Sequence, residues 1–168
     1  MFEIIPKARF SRDEAQAAAE AWGANCGPGA LAAVLDKTLN DVRPFLGEFE
    51  KKGYMSPTMM YMALRALNIL WLKGFESEPR NALWRVQWGG PWMNPGVPIK
   101  ARYWHTHWIA ARMIAGEIYI FDINAICAGG WITQKEWSLQ LVPWMMSQDK
   151  SKWDGTLSFT HFLEVPRT

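Results

Sequence analysis

A chain of 168 residues, about half of them apolar and a fifth charged, is long enough to bury a core and has the balance of an ordinary globular protein. Its net charge of +2 provides no broad basic field for nucleic acid or an anionic membrane surface, and no apolar run approaches the roughly 20 residues that cross a bilayer. Cys26 and Cys127 make neither a disulfide framework nor a zinc ligand set by spacing, and residues 1–10 lack the apolar stretch of a signal peptide, so a cytoplasmic location is expected.

No repeat, low-complexity tract or linker divides the chain, and 1–168 reads as one domain. Ser11 and Glu14 form a capping-box pattern ahead of an Ala-rich helix that runs to Ala21. The segment Trp22-Gly23-Ala24-Asn25 breaks it, and a second helix starts at or just after Cys26 and carries Leu31, Val34 and Leu35. A third helix is expected over 41–52, stopping at Gly53, with Pro44 tolerable only in its first turn. A fourth opens at Ser56-Pro57, Ser as cap and Pro at the first helical position. Its apolar residues Met60, Ala63, Leu64 and Leu67 fall at helical spacing.

After Asn68 the period changes. Residues 69–72 read as a short apolar strand, 83–88 alternate as a second, and 89–98, rich in Gly and Pro, form a loop. Residues 104–113 and 117–122 make a hairpin around Ala115-Gly116. Thr133 with Glu136 caps one more short helix, which Pro143 must end or kink, and 158–165 read as a closing strand. Helices first and antiparallel strands after indicate an α+β fold.

The 11 tryptophans are either large rings stapling the core or the lining of a ligand groove or partner surface. On the second reading Trp22, Trp92, Trp108 and Trp131, with Gly27 and Asn124, are groove candidates. The rims of such a groove would fall at 89–92 and 129–131, where loops flank strand ends.

The segment Asn25-Cys26-Gly27-Pro28-Gly29-Ala30-Leu31 carries the most chemistry. A cysteine at a helix N-terminus meets unpaired N–H groups and the positive end of the dipole, which favours the reactive thiolate. The same N–H groups can stabilise an oxyanion, and the glycines allow close approach of a substrate. A buried cysteine in a tight turn fits the same residues. In Thr106-His107-Trp108-Ile109-Ala110-Ala111, alternation places His107 on the face of Ile109 and Ala111. The hairpin register then brings Asp122 near Ile109, about one pair from His107, within reach of the imidazole. Cys26 as nucleophile, His107 as base and Asp122 as orienter are the parts of an acyl-transfer triad. A zinc site from His105, His107 and either Asp122 or His161 is the competing arrangement. His161 and Cys127 otherwise read as structural.

Cys-Gly-Pro opening an Ala/Leu-rich helix, followed by His-Trp-Ile-Ala and a strand ending in Phe-Asp, resembles the papain-like cysteine peptidase superfamily. Within it the likeness is to the bacteriocin-leader peptidases and phytochelatin-synthase-like enzymes, and the chain as a whole is similar in style to phage or prophage proteins. The resemblance covers the two halves of the site. It implies a papain-like fold, with the nucleophile helix packed on a C-terminal antiparallel sheet. It also implies Cys26, His107 and Asp122 in the roles above, a peptide or protein substrate cleaved or transferred at an amide bond, and no metal or other cofactor. The family carries an oxyanion-donating Gln six residues before the cysteine. Here that position is Glu20, and an ionised carboxylate cannot donate. Gln16 and Asn25 are the amides that could take its place. Failing them, the scaffold would serve as a binding protein through a Trp-rich surface.

Overall fold

The computed structural model describes residues 5–74, 80–102, 104–148 and 152–166. Helix α1, Arg12–Trp22, starts on a complete Ser11–Glu14 capping box and ends at Gly23 in the left-handed region. Helix α2, Cys26–Val34, follows after a three-residue turn. The long helix expected over 41–52 is instead three pieces: α3, Leu39–Val42, a 3-10 turn at Arg43–Phe45, and α4, Phe49–Lys52. Thr38 caps this segment earlier than Asp41. Pro44 therefore falls past the first turn, where its missing N–H breaks the ladder. Gly53 stops α4 in the left-handed region, and α5, Pro57–Ala66, opens on the Ser56 cap with Pro57 first.

The strands form one six-stranded sheet, β1-β6-β2-β3-β4-β5, antiparallel at every pairing. The first strand, β1, is only Leu72–Lys73. The expected strand start at Ile69 is not formed, and Leu70 is exposed. Strand β2, Asn81–Trp88, leads through a loop with a 3-10 turn at Pro91–Met93 and a short helix α6, Ile99–Arg102, into β3, Thr106–Ile114. Strand β4, Glu117–Phe121, returns with Ala110 opposite Phe121 and Ile114 opposite Glu117, the register that the turn at Ala115-Gly116 requires. Trp131–Thr133 is β5, and Leu157–Glu164 is β6, inserted between β1 and β2.

Helix α7, Gln134–Glu136, opens on the Thr133 capping box, widens into a π turn at Trp137–Leu141 and continues as α8, Val142–Gln148. Pro143 does not end this helix. The wider i→i+5 turn just before it absorbs the break that its missing N–H imposes. No described helix is long and apolar enough to cross a membrane.

Both faces of the sheet are covered, which is why β2 is buried nearly end to end rather than alternately. Leu83, Trp108, Ala110 and Leu163 face the N-terminal helices, against Leu31, Val34, Phe49 and Met60. Trp84, Val86, Ile109, Ala111 and Ile120 face Trp137, Val142 and Met146. Buried charged and polar side chains in this layer have partners. Arg112 donates to Asn81, to the Val34 carbonyl and to Asp36. Gln87 donates to the carbonyls of Arg102 and Trp104.

Candidate active site

Residue 26 begins α2 because Asn25 ends the preceding turn. The Asn25 carbonyl oxygen Oδ1 accepts the Gly27 N–H at 3.2 Å, and its Nδ2 donates to the Gly53 carbonyl at 3.2 Å. This N-cap sets the first turn of α2 against the end of α4. The turn can lie that close because Gly27 has no side chain: a Cβ there would come within 2.5 Å of Met55 Cβ. Cys26 is thus held at a helix N-terminus, half-buried, where its own N–H has no carbonyl within the helix to accept it.

His107 and Asp122 come from the hairpin. Strand β4 ends opposite Ala110, so the β3 edge before Ala110 is open on that side. Main-chain N–H groups of a strand lie in the plane of the sheet, and the Trp108 N–H there donates to the Cys26 sulfur. The sulfur therefore lies beside the open edge of β3, with Cys26 packed against the core on the face of the N-terminal helices. His107 Nε2 lies 2.9 Å from Asp122 Oδ2, a close ion-pair contact rather than an aligned hydrogen bond. That leaves Nδ1 for the cysteine, with which the imidazole shares a side-chain hydrogen bond. Asp122 is wholly buried. Its Oδ1 accepts from the backbone N–H and Nδ2 of Asn124, at 2.9 and 3.0 Å, and its Oδ2 from Trp137 Nε1 at 2.9 Å. The Asn124 contact also caps the 3-10 turn Ile123–Ala128, so one carboxylate both starts that turn and holds the imidazole.

The three groups shift one another. Burial pushes the Cys26 thiol up, but the adjacent His107 and the Trp108 N–H outweigh it, and the thiol ends below its ordinary value. Burial alone would lower the His107 imidazole. The charges of Asp122 and of the Cys26 sulfur reverse that and hold its pKa well above the usual histidine range. Asp122 is likewise pushed up by burial and brought below the ordinary carboxylate range by His107, Asn124 and Trp137. Both shifts run in the direction of a thiolate beside an imidazolium.

The cysteine opens onto a cleft of about 390 Å³. Helix α1 lines it with Arg12, Ala15, Gln16 and Ala19, residues that share one helical face. The turn into α2 adds Ala24 and Asn25, and the 3-10 turn after β4 adds Ile123, Asn124 and Ile126. Gln16 reaches the cleft, and its Nε2 donates to Glu20 Oε1 at 2.7 Å. Glu20 itself is not among the cleft-lining residues. Asn25 lines the cleft too, with Oδ1 on the Gly27 N–H and one Nδ2 hydrogen on the Gly53 carbonyl.

Of the groove candidates, Asn124 lines the cleft and the others lie elsewhere. Gly27 is buried under Met55. Trp22 packs edge-on against Phe49, and Trp131 against Phe121. Trp108 donates to the Met55 carbonyl and Trp92 to that of Trp88, both at 2.8 Å. These rings are core, because each satisfies its one N–H or its ring faces within the fold. Of the 11 tryptophans, Trp104 and Trp144 are exposed, Trp71, Trp88 and Trp153 half-buried and the other six buried. The rims at 89–92 and 129–131 do not border the cleft. His105 does not share a strand face with His107. Its φ of +58° turns it out of β3, and it stacks on Trp92 with centroids 3.8 Å apart. Among the described residues no group of three or more His, Cys, Asp or Glu side chains could hold a metal ion. His161 lies on β6 opposite Arg85, and Cys127 is exposed, both away from the cleft.

Sequence reasoning missed the Trp137 donor, the Trp108 N–H and the presence of Arg12 in the cleft. Only Arg12 left a trace, standing at helical spacing from Gln16. No family model matches the chain, and no curated protein is similar enough to count as a relative.

Proposed function

We propose that this protein is a cysteine-dependent hydrolase or acyl transferase of papain-like architecture, acting on a peptide, isopeptide or other amide bond through a thioester at Cys26. The observation that carries the reading is the ordered contact of Cys26, His107 and Asp122 at an open cleft, with the thiol pushed down and the imidazole up. Cys-His-carboxylate order on a helix start and a hairpin, within an α+β fold with an antiparallel sheet, supports the papain-like assignment.

In this mechanism the Cys26 thiolate attacks the carbonyl carbon, a C–S bond forms, and the carbonyl electron pair moves onto oxygen. The oxyanion is met by the Cys26 N–H and by the second Nε2 hydrogen of Gln16, the first being held by Glu20. Glu20 thus serves as the anchor of the donor rather than as the donor. The His107 imidazolium gives its proton to the leaving nitrogen as the C–N bond breaks. Neutral His107 then takes a proton from water, or from an acceptor amine, whose attack on the thioester releases Cys26. Asp122 keeps the imidazole oriented and stabilises its charge.

The test is to offer an activated acyl ester and to look for an acyl adduct on the Cys26 peptide by mass spectrometry. The adduct is expected for the parent protein and absent from Cys26→Ala and His107→Ala. Iodoacetamide labelling near pH 6 no faster at Cys26 than at Cys127, with no acyl adduct, would overturn the reading.

A further inference from the structure

The cleft beside Cys26 has an uneven charge. Among the described residues, Arg12 is the one fixed charge that lines it, and no carboxylate does. Asp122 is wholly buried behind His107, and Glu20 is engaged with Gln16 outside the lining. The Arg12 side chain is exposed and, among the described residues, makes no hydrogen bond or ion pair. Arginines that stabilise this fold are paired instead: Arg43 with Glu50 and Arg112 with Asp36. Arg12 sits one turn before Gln16 on the same helical face, so a group touching its guanidinium and a carbonyl at the sulfur can belong to one small ligand. The rest of that face is Ala15 and Ala19, short side chains that leave the path between the two open.

We infer that Arg12 is a specificity-determining residue that selects a substrate bearing a carboxylate close to the bond attacked by Cys26. The inference rests on the hydrolase reading for its substrate, but the anion preference is a property of the cleft and can be read without turnover. A guanidinium offers a planar, bidentate fork to a carboxylate, so the recognised group is a carboxylate on a peptide or acyl chain, either a side chain or a chain terminus.

Iodoacetate and iodoacetamide differ by one carboxylate, and the ratio of their rates at Cys26 reports the field that an anion meets there. Arg12→Gln should lower the iodoacetate rate relative to iodoacetamide by about two- to fivefold, the range for an exposed charge pair. Arg12→Lys should retain most of the preference, and Arg12→Glu should reverse it. Thermal unfolding of each variant checks that the exposed substitution leaves the fold intact. A ratio unchanged in Arg12→Gln, or equal slowing with both reagents, would overturn the inference. Slow labelling of Cys26 by both reagents, with a ratio that still falls in Arg12→Gln, would sink the hydrolase reading and leave the anion site standing. Two further pairs separate the sources of the carboxylate: N-chloroacetyl-glycine against its amide, and the α-amides of N-chloroacetyl-glutamate against N-chloroacetyl-glutamine. The pair whose anionic member loses its advantage in Arg12→Gln names the group, and loss in neither overturns the inference.

Discussion

The lowered thiol of Cys26 stands on a chain of pairings, to His107, from there to Asp122 and on to Trp137. His107→Gln removes the positive charge that opposes burial at the sulfur. The pH at which iodoacetamide labelling of Cys26 rises should then move upward, into or above the ordinary thiol range. Trp137→Phe removes the N–H that donates to Asp122 Oδ2. It should cost about 1–3 kcal/mol, as expected when a buried acceptor loses a partner, and shift the labelling profile in the same direction by less. A flat profile in both variants would mean that the imidazole does not set the thiol. Stability follows the same charges. Folded His107 binds its proton more tightly than the unfolded residue. Its contribution is therefore complete below about pH 6.5 and lost as pH rises through the raised value. The depressed Asp122 works the other way, contributing above the ordinary carboxylate range and losing it as pH falls through its lowered value. The melting temperature of the parent protein should exceed that of His107→Gln most on the mildly acidic side of neutrality, and the gap should narrow as the solution is made alkaline. Cys26, His107 and Asp122 could be found in the sequence because a helix-start cysteine and a hairpin register are local patterns. Trp137 could not, since its bond to Asp122 depends on how α7 and the π turn dock on the sheet.

At the scale of elements, the first turn of α2 is the part most sensitive to small changes. A methyl group at Gly27 meets Met55 Cβ at 2.5 Å, so Gly27→Ala must displace either the turn or α4's neighbour Met55. It should cost about 1–3 kcal/mol, the usual range for overpacking, and slow Cys26 labelling as the sulfur shifts from the Trp108 N–H. Gly23→Ala is a useful contrast. Its φ is +77° with nothing near its Cβ, so the cost is backbone strain of about 1 kcal/mol, and the labelling profile should not change. If both variants unfold at the same temperature with the same profile, close packing does not position the Cys26 sulfur. The caps at Ser11, Ser56 and Thr133 were legible because each is a side chain bonding a backbone group three residues away. The segment after Thr38 was misread as one helix because its apolar spacing survives the interruption at Pro44. Of the two outcomes expected at Pro143, the helix does not end there, because a π turn, which leaves no periodic mark, carries it past.

For the whole molecule, the controlling feature is that β6 pairs with β2 along its length while β2 also pairs with β3, the strand of His107. Truncation after residue 156 should therefore abolish the near-ultraviolet circular dichroism of the buried tryptophans and the selective labelling of Cys26 together. Survival of either signal would show that the sheet holds without its inserted strand. Strand order was not legible in the sequence. The hairpin announces its own pairing, but nothing in residues 157–164 says which strands they will separate. The insertion also has a consequence for synthesis. A ribosome releases β1 and β2 long before β6, so the growing chain carries β2 with one side unpaired, open to other chains and to chaperones. Cys26 emerges earlier still, yet the strand that holds His107 gains a fully flanked neighbour only when residue 164 has been delivered. A nascent chain thus carries the thiol through the synthesis of residues 27–164 without a settled imidazole beside it.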